Sequence, residues 1–146
     1  MGGKIYTPLG AWYHGTKFAL EAISDCLRLE VEPFGINVVV IEPGGIKTEW
    51  ADIAAAKLLG VSGGGAYAKQ AQAMADSMVS ESSRKRQSPP NTIADTIAQA
   101  VSARRPKTRY AVGFGAKPMI CLRRLLSDRL FDRFMRMATG ISRQSQ

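Results

Sequence analysis

A short apolar segment, residues 36–42 (INVVVIE), restricts the folds open to this chain more than any other feature. Its β-branched side chains fall at odd and even positions, so both faces of a strand formed there are apolar. This pattern is typical of a strand in a parallel sheet that helices cover on each side. Pro43, Gly44 and Gly45 end the segment. The sequence therefore predicts an α/β fold.

Helical periodicity and proline positions predict the other elements. Pro33 and Gly35 end the first helix, and Ser-Gly-Gly-Gly at 62–65 separates two later helices. Residues 142–146 are expected to form a frayed tail. The expected elements are, in chain order, a helix at 11–32, helices at 50–60 and 66–83, a helix at 92–105, a strand at 108–112 and a basic helix at 118–139.

The first predicted helix has one narrow polar stripe, and its other faces are apolar or small. Asp25 and Arg28 on this stripe are close enough to pair. The stripe consists of Glu21, Asp25, Arg28 and Glu32. A column of small side chains, which permits close helix packing, consists of Gly15, Ala19, Ala22 and Cys26. We expect this helix to need neighbours on both sides and to be the surface through which copies of the chain associate.

The two last predicted helices are amphipathic. The side chains expected on the buried side of the helix at 92–105 are Ile93, Ile97, Ala100 and Val101. The apolar face expected in the helix at 118–139 consists of Leu122, Leu126, Leu130, Phe134 and Met137. This helix either docks on the body of the fold or binds a partner or an anionic membrane surface. The arginines available for a membrane surface are Arg123, Arg124, Arg129, Arg133 and Arg136.

The composition is that of a core-forming globular protein, with 45% hydrophobic and 22% charged residues. It excludes a disordered tail and a collagen-like repeat. No apolar run approaches the roughly 20 residues of a membrane-spanning helix, and the first residues lack a signal peptide's apolar stretch. We expect a cytoplasmic protein, peripheral to a membrane if the basic helix binds lipid, in which Cys26 and Cys121 are reduced.

The net charge of +8 lies mostly in the second half of the chain. It is not interleaved with the aromatic side chains that stack on bases, so we expect no nucleic-acid partner. Arg84, Lys85 and Arg86 are expected to be a solvated helix end. No metal site is expected.

Tyr13 and Lys17 stand four residues apart near the start of the first helix, so both side chains project from one face. A phenol has a pKa near ~10, and a nearby ammonium favours the phenolate. Such a pair can exchange a proton with an alcohol or a carbonyl near neutral pH. Taken alone, this spacing fits an ordinary helix face better than a catalytic pair.

The order of the motifs changes that interpretation. AWYHGTKFAL opens the helix with a Tyr-x-x-x-Lys motif, and LRLEVEPFGINVVVIEPGGIKT adds the strand and a Pro-Gly-x-x-x-Thr loop. Residues 103–113 (ARRPKTRYAVG) add a helix-to-strand passage. In this order the motifs closely resemble those of the short-chain dehydrogenase/reductase family. The resemblance implies the C-terminal half of a single doubly wound, Rossmann-like parallel-sheet domain.

The resemblance also assigns parts to the chain and roles to residues. It implies that Tyr13 is the general acid/base and that Lys17 lowers the pKa of Tyr13 and binds the nicotinamide ribose. The residues implied at the nicotinamide end of an NAD or NADP cofactor are Pro43, Gly44, Ile46 and Thr48. The implied parts are a catalytic helix, strand and cofactor loop at 11–48, a substrate-side region at 49–88, a last helix and strand at 89–113 and a basic C-terminal helix and tail at 114–146.

The chain departs from the family pattern in two places. It contains neither G-x-x-x-G-x-G nor G-x-G-x-x-G, and Gly63-Gly64-Gly65 follows a predicted helix instead of a strand. The family's catalytic serine would fall at or just before Met1. We therefore expect a truncated chain that is inactive alone and that is oligomeric or partly molten. The preference for NAD or NADP is set in the missing half.

The region after the Pro-Gly loop is where the family closes over its substrate. Its large apolar side chains are Trp50, Ile53, Leu58, Leu59, Val61, Tyr67, Met74 and Met78. They indicate a bulky apolar alcohol or ketone, such as a steroid, retinoid or fatty-acyl compound, or they simply pack two helices together. His14 is expected to be an incidental surface residue. The alternatives to an oxidoreductase are a non-catalytic interaction module and a membrane-associated remnant.

Overall fold

Residues 1–141, which the computed structural model describes, form helices around a pair of parallel strands. The predicted frayed tail at 142–146 lies outside the described residues. The helices are α1 (Ala11–Val31), a short 3-10 helix (Glu32–Phe34), α2 (Trp50–Ser62), α3 (Ala68–Val79), α4 (Glu81–Arg86), α5 (Asn91–Ser102), α6 (Ala116–Leu125) and α7 (Asp128–Ala138). The strands are β1 (Val40–Pro43) and β2 (Arg109–Val112). The α/β class is confirmed.

The strands β1 and β2 run parallel, with Val40 opposite Arg109 and Pro43 opposite Val112. The predicted parallel pairing is therefore confirmed, but the predicted first strand at 36–42 is too long. A strand is defined by its partner's hydrogen bonds, and β2 offers only four residues. The apolar residues before Val40 have no strand beside them in the part of the chain that the structure describes.

The helix α1 ends where the sequence predicts, because Pro33 lies in the 3-10 helix and Gly35 takes the left-handed conformation, with φ +73°. Its polar stripe, and not its apolar surface, faces the rest of the chain, and Glu21 on it is only 9% exposed. Trp12, by contrast, is 91% exposed. The other exposed apolar side chains of α1 are Phe18, Leu20, Ile23, Leu27 and Leu29. The expected neighbours on both sides are absent among residues 1–141.

The predicted helix at 66–83 is two helices in the structure. α3 stops at Val79, and Ser80 is extended, with φ −56° and ψ 145°. The hydroxyl of Ser80 accepts a hydrogen bond from the Ser83 amide at 3.3 Å and so caps α4. The arginine and lysine side chains that end α4 are exposed, as predicted, although Arg84 pairs with Asp52 of α2.

The helix α5 is shorter than predicted, ending at Ser102 and not at 105. The prediction of its buried side was partly wrong. Ala100 is buried and Ile93 is half-buried, but Ile97 is exposed and Val101 is 81% exposed. The face of α5 that carries these two side chains is therefore only partly covered by the described chain.

The prediction of a single helix at 118–139 was also wrong. The backbone is extended at Leu126 and Ser127, which separates α6 from α7. This break turns a different face of α7 inward, so Phe131 is buried and Leu130 is exposed. Met137 was predicted to be buried but is exposed, and Met135 is buried instead.

The core cluster at this end consists of Ile5, Phe131 and Met135. Tyr6 joins it through an edge-to-face contact with the Phe131 ring at 5.1 Å and a 2.9 Å hydrogen bond to Asp132. The helix α7 therefore holds the N-terminal segment, residues 1–10, in place. No helix within residues 1–141 is long and apolar enough to cross a membrane.

Candidate active site

The first turns of α1 bring Tyr13 and Lys17 together, as the four-residue spacing predicts. The Lys17 ammonium lies 5.8 Å from the centroid of the Tyr13 ring, above its face. Tyr13 is 41% exposed, so part of its side chain lies at the surface. The pair therefore has the arrangement in which a phenol and a cation can share one substrate site.

Three neighbours partly cover the Tyr13 ring. The His14 ring meets it edge-on at 5.2 Å, and the Trp50 ring lies 5.5 Å away at a tilt of 44°. Gly2 is the third neighbour, because a β-carbon there would be 3.2 Å from Tyr13 Cε1. Trp50 opens α2, so this contact joins α1 to the segment that follows the loop after β1.

Burial by these neighbours raises the pKa of Tyr13 above its ordinary value of 10. The sequence predicted the opposite direction for the pKa, from the nearby Lys17 ammonium. The position of the ammonium explains the difference, because it lies over the ring face while the desolvated ring disfavours the phenolate. In this chain the Tyr13 phenol is the proton-bearing form at neutral pH.

His14 is buried, so the prediction of an incidental surface residue was wrong. Its Nδ1 lies 2.8 Å from the Gly2 carbonyl oxygen and its Nε2 lies 3.1 Å from the Thr7 hydroxyl. A carbonyl oxygen can only accept, so Nδ1 carries a proton and donates it to the Gly2 carbonyl oxygen. His14 thus fastens the N-terminal segment across the start of α1.

The loop after β1 packs closely against the turn that leads from β2 into α6. A β-carbon on Gly44 would stand 2.1 Å from the Phe114 carbonyl oxygen, so no larger residue fits there. The Gly45 amide donates to the same oxygen at 2.8 Å. Ile46 is half-buried and pairs with Ser88 in an isolated bridge. These contacts fix the loop's path.

The structure brings only some of the predicted site residues together. Tyr13 and Lys17 adjoin each other, and Trp50 links Tyr13 to the segment that carries Thr48, whose hydroxyl accepts from the Trp50 amide at 3.4 Å. Within residues 1–141, no hydrogen bond or ring contact joins Tyr13 directly to the cofactor-loop residues Pro43, Gly44, Ile46 and Thr48.

The predicted substrate-side residues divide between the surface and the packing of α2 with α3. Met74 is buried, and Leu58, Leu59 and Met78 are half-buried, as the packing interpretation requires. The exposed members of the set are Trp50, Ile53, Val61 and Tyr67. The Trp50 ring contacts the Tyr13 ring.

The described residues fit one end of a nicotinamide cofactor better than the other. Tyr13 and Lys17 offer a hydroxyl and an ammonium to a ribose. The strand-to-helix turn at Gly113-Phe114-Gly115 is not free for a diphosphate, because the Phe114 amide donates to the Ser88 hydroxyl and its carbonyl accepts from Gly45. No group of three metal-ligating side chains occurs in the described chain.

A cluster of ion pairs that the sequence analysis missed lies next to this site. Arg109 of β2 binds Glu21 and Asp25 of α1 and lies 3.5 Å from Glu42 of β1, while Lys4 binds Glu21 at 3.0 Å. The signal was present in the sequence, since the α1 stripe has three carboxylates and Arg28 as its one cation, which leaves Glu21 without an assigned partner. Only the register of the strands reveals that Arg109 reaches both Glu21 and Asp25.

Comparisons with known proteins agree on one family. The model of the short-chain dehydrogenase family matches residues 1–58. The chain is 32% identical to an uncharacterized oxidoreductase of Schizosaccharomyces pombe over 97% of its own length and 57% of the relative's. It is 35% identical to the NADPH-dependent 3-dehydrocapnine reductase of Ornithobacterium rhinotracheale, over 90% of the chain and 45% of the relative.

A third relative is the mouse 17-beta-hydroxysteroid dehydrogenase type 6, which is 30% identical over 90% of the chain and 44% of the relative. The chain thus spans about half the length of the curated relatives that it matches. These matches and the parallel strands with their surrounding helices lead to one conclusion. The chain belongs to the short-chain dehydrogenase/reductase family and carries part of its Rossmann-like α/β domain.

Proposed function

We propose that the protein is an oxidoreductase that interconverts an alcohol and a ketone with NAD or NADP, and that Tyr13 moves the proton. The single observation that carries this proposal is the placement of the Tyr13 phenol and the Lys17 ammonium on one open face of α1. The names of the relatives, which include a reductase and a hydroxysteroid dehydrogenase, support the same class of reaction.

Each proposed site residue has a distinct role. A bound nicotinamide supplies the hydride chemistry at the substrate carbon. The Tyr13 hydroxyl donates a proton to the carbonyl oxygen during reduction and accepts it back during oxidation. Lys17 binds the ribose and stabilises the phenolate left by proton donation. Pro43, Gly44, Ile46 and Thr48 hold the nicotinamide end.

The protonated form of Tyr13 is the form that the proposed reduction requires. Burial by Gly2, His14 and Trp50 keeps the phenol protonated at neutral pH, and a protonated phenol is the form that donates to a carbonyl. A ligand that brings positive charge near the phenol would lower this pKa and make the phenolate, which accepts the proton during alcohol oxidation, easier to form.

A bulky apolar substrate fits the surface beside Tyr13. Trp50 presents a half-exposed indole against the Tyr13 ring, and Ile53 is exposed one turn further along α2. Apolar side chains that stay exposed next to a polar group favour a ligand with an apolar body and one polar end. A steroid-like, retinoid-like or fatty-acyl ketone has that form.

The test uses the protein expressed from its complete gene. Reduction of a panel of apolar ketones is measured with NADH and with NADPH, for the unaltered protein and for Tyr13→Phe. Tyr110→Phe is the matched control, because the Tyr110 hydroxyl only accepts from the Lys107 amide. Turnover is expected to be lost in Tyr13→Phe and kept in Tyr110→Phe. Undiminished turnover in Tyr13→Phe would refute the role of Tyr13.

A second candidate function is self-association through α1. The exposed side chains of Trp12, Ile23 and Leu27 favour it, since their helical spacing places them on one face of α1 and an exposed apolar face of this kind marks an interface. Sedimentation of the protein and of Ile23→Glu would test this proposal. Association is expected in the unaltered protein and is expected to weaken in the variant, whereas equal sedimentation of the two would refute it. Tyr13→Phe should associate normally, which separates this function from catalysis.

A further inference from the structure

Arg109 is bound by two acidic residues of α1 at once. Its Nε and Nη2 donate to Glu21 Oε2 at 3.1 and 3.0 Å, and Nη2 also donates to both carboxylate oxygens of Asp25 at 2.7 Å. Glu21 and Asp25 are four residues apart, so one guanidinium spans a full turn of the helix. Arg109 is therefore fixed against one face of α1.

The same guanidinium lies against the sheet. Arg109 opens β2, and its Nε is 3.5 Å from Glu42 Oε1 in the neighbouring strand. Glu42 is 5% exposed, and this oxygen has no hydrogen-bond partner among the described residues. Glu42 directly precedes the Pro43-Gly44 loop. Arg109 thus connects α1 to the strand that leads into the proposed cofactor loop.

The acidic residues that Arg109 binds continue the face that carries the proposed catalytic pair. Glu21 lies one turn beyond Lys17 and two turns beyond Tyr13. The apolar faces of α1 are exposed, so within residues 1–141 this helix is held by the Arg109 cluster, by the N-terminal segment and by the contact between Tyr13 and Trp50. A rotation of α1 that moved Tyr13 would pull Glu21 and Asp25 away from Arg109.

We propose that Arg109 is a positioning residue, which fixes the rotation of α1 about its axis and so holds Tyr13 and Lys17 toward the loop after β1. The proposal rests on the catalytic role proposed for Tyr13. Arg109 lies in β2, far in sequence from the Tyr-x-x-x-Lys motif. In this proposal it nevertheless controls the geometry of that motif.

Arginine is suited to this position for a chemical reason. Its planar fork of N–H donors binds several carboxylate oxygens in fixed directions, whereas a lysine ammonium is a point charge on a flexible stem. Lysine at 109 would keep the charge but would not hold Glu21 and Asp25 in one geometry. Replacement by lysine therefore separates the electrostatic part of Arg109 from its geometric part.

The charges in the cluster favour a lasting ion pair between Arg109 and Asp25. The Arg109 guanidinium, followed by that of Arg28, lowers the pKa of Asp25 to about 2, so Asp25 is ionised at neutral pH. Arg28 pairs with Asp25 from the same helix and reaches no strand residue among the described ion pairs. It therefore serves as the matched control, with the same residue type and the same acidic partner.

The test compares Arg109→Lys with Arg28→Lys in the protein expressed from its complete gene. One readout is the NMR cross-peak between the rings of Tyr13 and Trp50, whose centroids lie 5.5 Å apart. The other is the titration of the Tyr13 phenol, which is followed by NMR in protein that contains carbon-13-labelled tyrosine. The Tyr13 signal is assigned by its absence in Tyr13→Phe. The groups that face this phenol are Lys17 and His14 on α1, Trp50 on α2 and the N-terminal segment at Gly2.

In Arg109→Lys we expect loss of the ring cross-peak and a fall of the Tyr13 pKa toward its ordinary value, since the ring would leave its partly buried site. In Arg28→Lys both readouts should match the unaltered protein. If Arg109→Lys does not fold, Glu21→Gln carries the same test, because it removes the carboxylate that Arg109 and Lys4 share.

The proposal is overturned if Arg109→Lys keeps both readouts while its unfolding midpoint falls, since Arg109 would then only stabilise the fold. It is also overturned if the unaltered protein lacks the ring cross-peak. Neither readout depends on turnover. A refuted role of Tyr13 in catalysis and a refuted role of Arg109 in positioning therefore remain distinct results.

Discussion

Gly3 lies so close to α1 that a β-carbon on it would stand 2.6 Å from the carbonyl oxygen of Lys17. The same β-carbon would be 2.6 Å from Glu21 Cγ. The N-terminal segment therefore passes over the face of α1 that carries Lys17 and Glu21, with no space for a side chain. His14 holds the neighbouring Gly2 carbonyl in the same place.

The first prediction tests this close approach. Gly3→Ala should lower the free energy of unfolding by about 1–3 kcal/mol, since overpacking against backbone atoms forces a shift. Gly15→Ala is the matched control, because a β-carbon at Gly15 meets nothing within 4 Å. That change should raise the free energy of unfolding by about 1 kcal/mol, from helix propensity alone. Urea unfolding measures both, and equal effects of the two changes would contradict the packing.

A second prediction concerns the acid side of the stability profile. Arg109 and Arg28 lower the folded-state pKa of Asp25 to about 2. A depressed carboxyl pKa stabilises the fold above the unfolded-state pKa, and the effect is lost as the pH falls through about 2. Asp25→Asn should therefore unfold more easily than the unaltered protein at neutral pH, with the difference shrinking in acid. A difference that stays constant down to pH 2 would contradict this assignment.

A third prediction concerns Glu42, whose ionisation should destabilise the fold, whereas that of Asp25 stabilises it. Burial raises its folded-state pKa, ahead of the repulsion from Glu21. A raised carboxyl pKa means that the fold loses stability as the pH rises from the unfolded-state pKa through the folded one. Glu42→Gln should remove this loss, so its unfolding midpoint at neutral pH should exceed that of the unaltered protein. A lower midpoint at neutral pH would mean that the Arg109 contact outweighs the burial.

The sequence predicted the elements whose signals are local. Pro33 and Gly35 mark the end of α1, and the β-branched run before Pro43 marks a parallel strand, because these residues act through their own backbone. The four-residue spacing placed Tyr13 and Lys17 together for the same reason.

The errors came from signals that depend on distant partners. The regular helical spacing of apolar residues through Leu126 did not reveal the break before α7, since Ile5 and Tyr6 pack against Phe131 only in the folded chain. The pKa of Tyr13 was predicted in the wrong direction because Gly2 and Trp50, which bury the ring, are remote from the motif in sequence. Arg109 was missed because the strand register alone places it beside α1.

A further prediction concerns the chain of 146 residues by itself. The turn before α6 is engaged with Ser88 and Gly45 and offers no free amide at Phe114 for a diphosphate. We therefore expect neither NAD nor NADP to quench the fluorescence of Trp12 and Trp50. Saturable quenching by either cofactor would mean that this chain holds a diphosphate site that its described residues do not reveal.

Transfer of deuterium from reduced nicotinamide to a ketone tests the central claim most directly. The protein expressed from its complete gene is incubated with cofactor deuterated at the transferable position and with the panel of apolar ketones. The account predicts an alcohol that carries deuterium on its carbinol carbon, and no such product from Tyr13→Phe. Product without deuterium, or no product from any ketone with either cofactor, would contradict the assignment of an oxidoreductase.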